Sequence, residues 1–350
     1  MTPRAVIVDD SPIARALVRE WLEADDDIEV VGEAADGEAA IGLITRLRPD
    51  VATIDLRMPG ISGLELVAFL MARAPLPILV LTGENTRDDA GLAFEAVRRG
   101  ALDLLPKPSA LDDEAIRSLR ARVRWLATVP VVRHIDGHKP PEPLPPVTAI
   151  PRSLRATSDL VIVGIAASAG GPTALATVLG SLSADLPICL AIVQHLPKGF
   201  APSFVSFLQA RCSLAVRLAE AGMVPPVATA VLAPDDHHLE LIDGRFALTG
   251  GPPVDGHRPS GTVLLRSLAP LGSSAIGVVL SGIGRDGADG LRAMRERQAT
   301  TFAQDAATSV VYGMPRAALE EGGAQLALPV GEIGDAIAAA ALSGRRKRGP

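Results

Sequence analysis

Twice along this chain, strand-length apolar runs alternate with amphipathic stretches, and between the two series lies a segment where proline recurs and periodicity stops. That interruption constrains the fold most, because proline neither donates to a β-ladder nor continues a helix. Pro130, Pro140, Pro141, Pro143, Pro145, Pro146 and Pro151, among scattered charges, predict a semi-extended linker over residues 126–157. The 350 residues leave room for one core on each side, so the expected domains are 1–125 and 158–345.

On the N-terminal side, Ala5 to Val8, Ile28 to Val31, Val51 to Ile54, Ile78 to Leu81 and Ala101 to Leu105 are candidate strands. Five runs with helical patterns between them predict a doubly wound five-stranded parallel sheet. On the C-terminal side, Leu160 to Ile165, Ile188 to Val193, Val227 to Leu232 and Ile276 to Leu280 alternate with helical patterns such as Pro172 to Leu182 and Ala201 to Arg211. These predict a second α/β domain with a mostly parallel sheet, and Leu239 to Thr249 around Asp243-Gly244 predicts a β-hairpin.

Composition narrows the class. With 48% hydrophobic and 21% charged residues, and no apolar run longer than a strand, the expectation is a soluble protein without membrane insertion. Charged Arg4, Asp9 and Asp10 surround the first short apolar run, which is no secretory pattern, so cytoplasmic residence is expected. Cys189 and Cys212 sit in apolar or helical stretches and read as structural. A net charge of -6 offers nucleic acid no general attraction, and the short basic tail Arg345 to Arg348 reads as a solvated end.

Asp9 and Asp10 follow the first strand and Asp55 follows the third, so a parallel sheet delivers three carboxylates to one carboxyl-terminal edge, where α/β sheets bind ligands. Carboxylates so close repel unless a cation sits among them, which predicts a hard divalent ion such as Mg2+ on Asp9, Asp10 and Asp55. Thr82 and Lys107 reach the same edge after the fourth and fifth strands, a hydroxyl and an ammonium suited to a phosphorylated Asp55. A helix cap or turn role is the alternative for any one of these residues.

Val8-Asp9-Asp10-Ser11, Asp55 through Met58-Pro59-Gly60, Gly63-Leu64, Thr82 and Lys107-Pro108 resemble the flavodoxin-like receiver domains of two-component response regulators. The resemblance implies Asp55 as phosphoacceptor, Asp9 and Asp10 as metal ligands, Thr82 and Lys107 as switch residues, and a sensor histidine kinase as phosphodonor. Leu104 stands where such domains often carry an aromatic switch residue.

In the second half, Ser168 follows a strand in Ala166-Ala167-Ser168-Ala169-Gly170-Gly171-Pro172, His195 follows the next in Gln194-His195-Leu196-Pro197, and Asp286 lies in Ser281-Gly282-Ile283-Gly284-Arg285-Asp286-Gly287. On parallel strands all three reach one rim, with the parts of an acyl-transfer triad: nucleophile, base and orienting acid. Phosphate binding or capping by the Gly-rich turn is the alternative for Ser168, although Gly164, Gly170 and Gly171 do not space as GxGxxG. The elbow GxSxG is absent, which argues against the ordinary α/β-hydrolase fold. Asp235, Asp236, His237 and His238 suggest a metal site, but neighbours on an extended segment point to opposite faces. His257 and Arg258 read as cleft-lining or helix-capping residues, and His134 and His138 as solvated linker residues.

Ser168-Ala169-Gly170-Gly171, Gln194-His195-Leu196-Pro197 with Gly199-Phe200, Ala233-Pro234-Asp235 with His238, His257-Arg258-Pro259-Ser260, Gly282 through Gly287, Gln304 and Gly313-Met314-Pro315 resemble the chemotaxis protein-glutamate methylesterases. That resemblance implies phosphorylation-activated hydrolysis of glutamate methyl esters on chemoreceptors, deamidation of receptor glutamines, and no cofactor for the esterase step. It assigns Ser168 as nucleophile, His195 as base, Asp286 as third member and the Ile283 backbone as an oxyanion donor. Ala166, Ala169, Ile283 and Arg285 depart from the family's usual residues. A non-catalytic, phospho-regulated signalling adaptor is the rival reading.

Overall fold

The computed structural model describes residues 2–83, 87–109, 111–129, 131 and 160–346, in two compact units. Most of the expected linker, with His134 and His138, and the side chains of the basic tail lie outside the described residues.

The first unit runs β1 (Arg4–Val8), α1 (Pro12–Glu23), β2 (Glu29–Ala34), α2 (Gly37–Leu47), β3 (Val51–Asp55), α3 (Gly63–Arg73), β4 (Ile78–Thr82), α4 (Arg87–Arg98), β5 (Asp103–Pro106) and α5 (Asp113–Leu126). Every strand pairing is parallel, in the order β2-β1-β3-β4-β5. Every residue of β3 and β4 is buried, as strands covered by helices on both faces require. The order reverses between β1 and β3, and that switch point opens a crevice at the carboxyl ends of the two strands. Local chemistry sets the helix starts: Ser11 caps α1, and Ser62 with Glu65 forms a reciprocal capping box on α3.

Gly63 shows how tightly α3 is seated. A Cβ there would overlap the Asp55 carbonyl oxygen and lie 2.6 Å from Leu56 Cα, both backbone atoms that cannot swing aside. Gly63→Ala is therefore expected to destabilise the first unit by about 3 kcal/mol. Denaturant titration of the full chain checks this; an unchanged midpoint for that unit contradicts the packing argument.

The second unit runs β6 (Val161–Ala167), α6 (Gly171–Gly180), β7 (Ile188–Gln194), α7 (Ala201–Gln209), β8 (Ala215–Leu218), β9 (Thr229–Leu232), β10 (His238–Ile242), β11 (Arg245–Thr249), α8 (Gly261–Leu268), β12 (Ala275–Val279), α9 (Ala288–Glu296), β13 (Thr300–Gln304), α10 (Met314–Glu320), β14 (Leu326–Leu328) and α11 (Val330–Arg346). Its seven-stranded sheet has the order β14-β13-β12-β6-β7-β9-β8 and is parallel throughout. The hairpin β10-β11 stands apart as a two-stranded antiparallel sheet with Asp243-Gly244 at its turn. Helix α9 packs on α8 and α10, and α6 packs on α7 and α11. Fully buried β6 and β7 form the middle of the sheet, and the strand order reverses between β6 and β12.

Candidate active site

The receiver-type crevice gathers the residues expected there. Asp9 and Asp55 are buried and Asp10 is exposed, and one carboxylate oxygen from each lies within 4.8 Å of the others. Asp9 accepts from the Ser11 N–H and Asp55 from the Arg57 N–H, each at 3.0 Å, which orients both carboxylates. Lys107 Nζ bridges their other oxygens at 2.6 Å each. Burial alone would lower the Lys107 pKa; hydrogen bonds and charge from Asp55 and Asp9 outweigh it and hold the ammonium above its ordinary value. Thr82 is buried at the end of β4, its hydroxyl 3.5 Å from the Leu105 carbonyl oxygen, and Leu104 is buried on β5 as the register partner of Val80. An all-oxygen set of three carboxylates fits a hard divalent cation such as Mg2+.

In the second unit, Ala167 and Gln194 are register partners on β6 and β7, and the His195 N–H donates to the Ala167 carbonyl at 3.0 Å. Ser168 and His195 therefore leave adjacent parallel strands at the same step. The Ser168 N–H donates to the Ser281 carbonyl at 2.9 Å, which ties the Ser168 turn to the loop after β12. A Cβ on Gly282 would stand only 2.8 Å from Ser168 Cβ, so this close approach needs glycine. Gln194 stitches the two turns together, its side-chain amide donating to the carbonyls of Ser168 at 2.8 Å and His195 at 3.0 Å.

Asp286 is the best-held group of the site. Its Oδ2 meets His195 Nε2 at 2.8 Å and accepts from the Gly261 N–H at 2.6 Å; its Oδ1 accepts from Ser260 Oγ at 2.6 Å and the Thr262 N–H at 2.9 Å. The carboxylate thus sits on the free N–H groups at the start of α8, where the helix dipole favours negative charge. Burial alone would raise its pKa; the His195 hydrogen bond and charge, then Ser260 and Thr262, outweigh burial and hold Asp286 well below the usual carboxylate range. Ser260, not His257 or Arg258, is the N-cap of α8.

His195 uses Nε2 on Asp286, so Nδ1 is the nitrogen left to serve a nucleophile; it is buried without a hydrogen-bond partner. Ser168 is buried, and its hydroxyl makes no hydrogen bond among the described residues. Such contacts are commonly loose before a substrate is bound. The N–H groups of Ala169, next to Ser168 in the chain, and of Ile283, next to Gly282, also donate to nothing among the described residues.

Sequence reasoning missed two features. His257 stacks on His195 with ring centroids 3.6 Å apart, a contact no spacing rule reveals because 62 positions separate them. Arg285, one of the departures, joins Asp255, Asp289 and Glu321 in an exposed ion network rather than entering the site. The cluster at 235–238 disperses: Asp235 caps the Gly199 N–H, Asp236 pairs with Lys198, and His238 bonds Ser260 N–H and the Pro252 carbonyl. Burial pushes the Cys189 thiol up to about 12, consistent with an inert core residue.

A receiver-type sheet and a parallel α/β unit carrying Ser168, His195 and Asp286 on one rim define the class: a response regulator with a hydrolase output domain. The family described as CheB methylesterase matches residues 163–337, and the response regulator receiver domain matches 5–118. The protein-glutamate methylesterase/protein-glutamine glutaminase 2 of Anaeromyxobacter dehalogenans is 43% identical, over 95% of this chain and 96% of its own. One from Cupriavidus metallidurans is 40% identical, over 98% and 100%. The crystal structure of the Thermotoga maritima CheB methylesterase catalytic domain aligns with a TM-score of 0.50 at 33% identity, covering 51% of this chain and 97% of that one. The chain belongs to the protein-glutamate methylesterase/protein-glutamine glutaminase family.

Proposed function

We propose that this chain hydrolyses glutamate methyl esters on methyl-accepting chemoreceptors, releasing methanol, and deamidates receptor glutamines by the same acyl chemistry. Family membership supports the reaction. The observation that carries the residue assignment is the His195–Asp286 pair, at 2.8 Å, at the mouth of the strand beside Ser168. Ser168 attacks the side-chain carbonyl as His195 Nδ1 takes its proton. His195 returns that proton to the departing methanol or ammonia, and water then releases the carboxylate by the reverse sequence. Asp286 stabilises the imidazolium, and the Ile283 N–H receives charge developing on the carbonyl oxygen. No cofactor enters this scheme.

Asp55 is the phosphoacceptor, with a sensor histidine kinase as donor. Asp9, Asp10 and Asp55 would hold Mg2+, which supplies positive charge for the incoming phosphoryl oxygens. Lys107 then exchanges its carboxylate contacts for a phosphoryl oxygen, and Thr82 donates to another. The acyl phosphate raises esterase output by shifting a conformational population. With buried Leu104 in place of an aromatic ring, the shift runs through Thr82 and backbone. Cytoplasmic residence accords with these partners, and no described helix is long and apolar enough to cross a membrane.

Two measurements test this reading. A fluorophosphonate should label Ser168 and no other serine; a chain that resists labelling is the adaptor, not the enzyme. Asp55→Asn should retain basal methanol release while losing all stimulation by a small phosphodonor, and stimulation that survives removes Asp55 from the scheme.

A further inference from the structure

A single stretch of chain grips both partners of Ser168. His257 lays its ring on that of His195, centroids 3.6 Å apart and planes 18° from parallel. A few residues on, Ser260 Oγ and the N–H groups of Gly261 and Thr262 supply three of the four hydrogen bonds on Asp286. This stretch is itself pinned. His257 and Val254 exchange backbone hydrogen bonds at 3.0 and 3.1 Å, and Thr262 Oγ1 donates to Asp255 at 3.1 Å.

His195 has few other constraints. Its ring has one hydrogen bond, from Nε2 to Asp286, while Nδ1 has none. A ring tethered at one atom can pivot about that contact, whereas a flat neighbour at van der Waals separation blocks rotation out of the plane.

We propose that His257 is a positioning residue for the hydrolysis: its ring holds the His195 imidazole in the plane that aims Nδ1 at the Ser168 hydroxyl. The inference rests on the triad assignment above. His257 exchanges no proton. The Ser168 proton passes to Nδ1 as the Oγ–carbon bond forms, then to the methoxy oxygen as the carbon–methoxy bond breaks. Because the alignment matters only when the proton moves, the effect falls on kcat and leaves KM nearly unchanged.

The test measures methanol release by the full-length, phosphodonor-treated protein acting on methylated receptor. His257→Ala should lower kcat about tenfold, the worth of one such stack, with KM within about twofold. His257→Phe restores a ring and should recover most of that loss. His257→Gln keeps polarity without a ring and should behave as the alanine variant does, which decides the matter should alanine fail to fold. Equal kcat in the Phe and Gln variants overturns the proposal. Ser168→Ala is run in parallel: if it is inactive while His257→Ala keeps wild-type kcat, only the stacking role is lost; if it is active, the triad assignment beneath it goes too.

Discussion

Ser168→Ala is expected to lower methanol release by on the order of 10⁴-fold or more while leaving the fold intact. The asymmetry follows from the site. The Ser168 hydroxyl makes no hydrogen bond among the described residues, so its removal leaves no buried group without a partner and should cost less than about 1 kcal/mol. Its backbone stays tied through the Ser281 carbonyl and the Gln194 amide, so the turn keeps its shape around alanine. Release assayed on methylated receptor, beside a thermal melt, separates the two effects. Wild-type turnover in this variant would place the nucleophile elsewhere.

Asp286→Asn should cost on the order of 10³- to 10⁴-fold in kcat, and it should also cost stability. Asp286 presents two acceptor oxygens, each facing two donors. Asparagine has only one, so its amide NH₂ must confront a pair of donors. If the amide nitrogen meets Ser260 and Thr262, the Thr262 N–H cannot turn away and is left buried and unpaired, a penalty of about 1–3 kcal/mol. If it meets His195 and Gly261, Nε2 is forced to accept and the ring proton moves to Nδ1, the nitrogen that must be bare to receive the serine proton. Both placements are harmful, and the second removes the chemistry. The ratio of kcat between wild type and Asp286→Asn, with denaturant midpoints for each, checks this; a loss under tenfold contradicts the assigned role.

The same carboxylate has a definite pH signature. Its folded pKa is depressed, so the stability it contributes is present above the ordinary unfolded carboxylate value near ~3.9 and is lost only as pH falls through the lower folded value. Asp286 therefore stays ionised across any range in which the enzyme is assayed, and an acid limb in the rate profile reports a different group.

The apolar runs and their punctuation were sufficient for two parallel α/β units, because a strand buried on both faces reads as a near-continuous hydrophobic stretch, as β4, β6 and β7 do. Short edge elements were not legible in that way. The strand β14 has three residues, too few for a period, and forms because the neighbouring strand β13 offers a free edge. Asp9 could be paired in thought with Asp55, and separately Ser168 with His195, since each stands at the carboxyl end of a predicted strand and parallel pairing carries such ends to one rim within each sheet.

What sequence alone determined was which side chains arrive at each rim and which chemistry their types permit. Tertiary structure decided how each is held: the seat of Asp286 on the start of α8, the choice of Nε2 for that contact, and the ring of His257 against His195. The reason is physical. Strand order and direction follow from local hydrophobic pattern, but hydrogen-bond partners across a loop depend on the path the whole chain takes to return there.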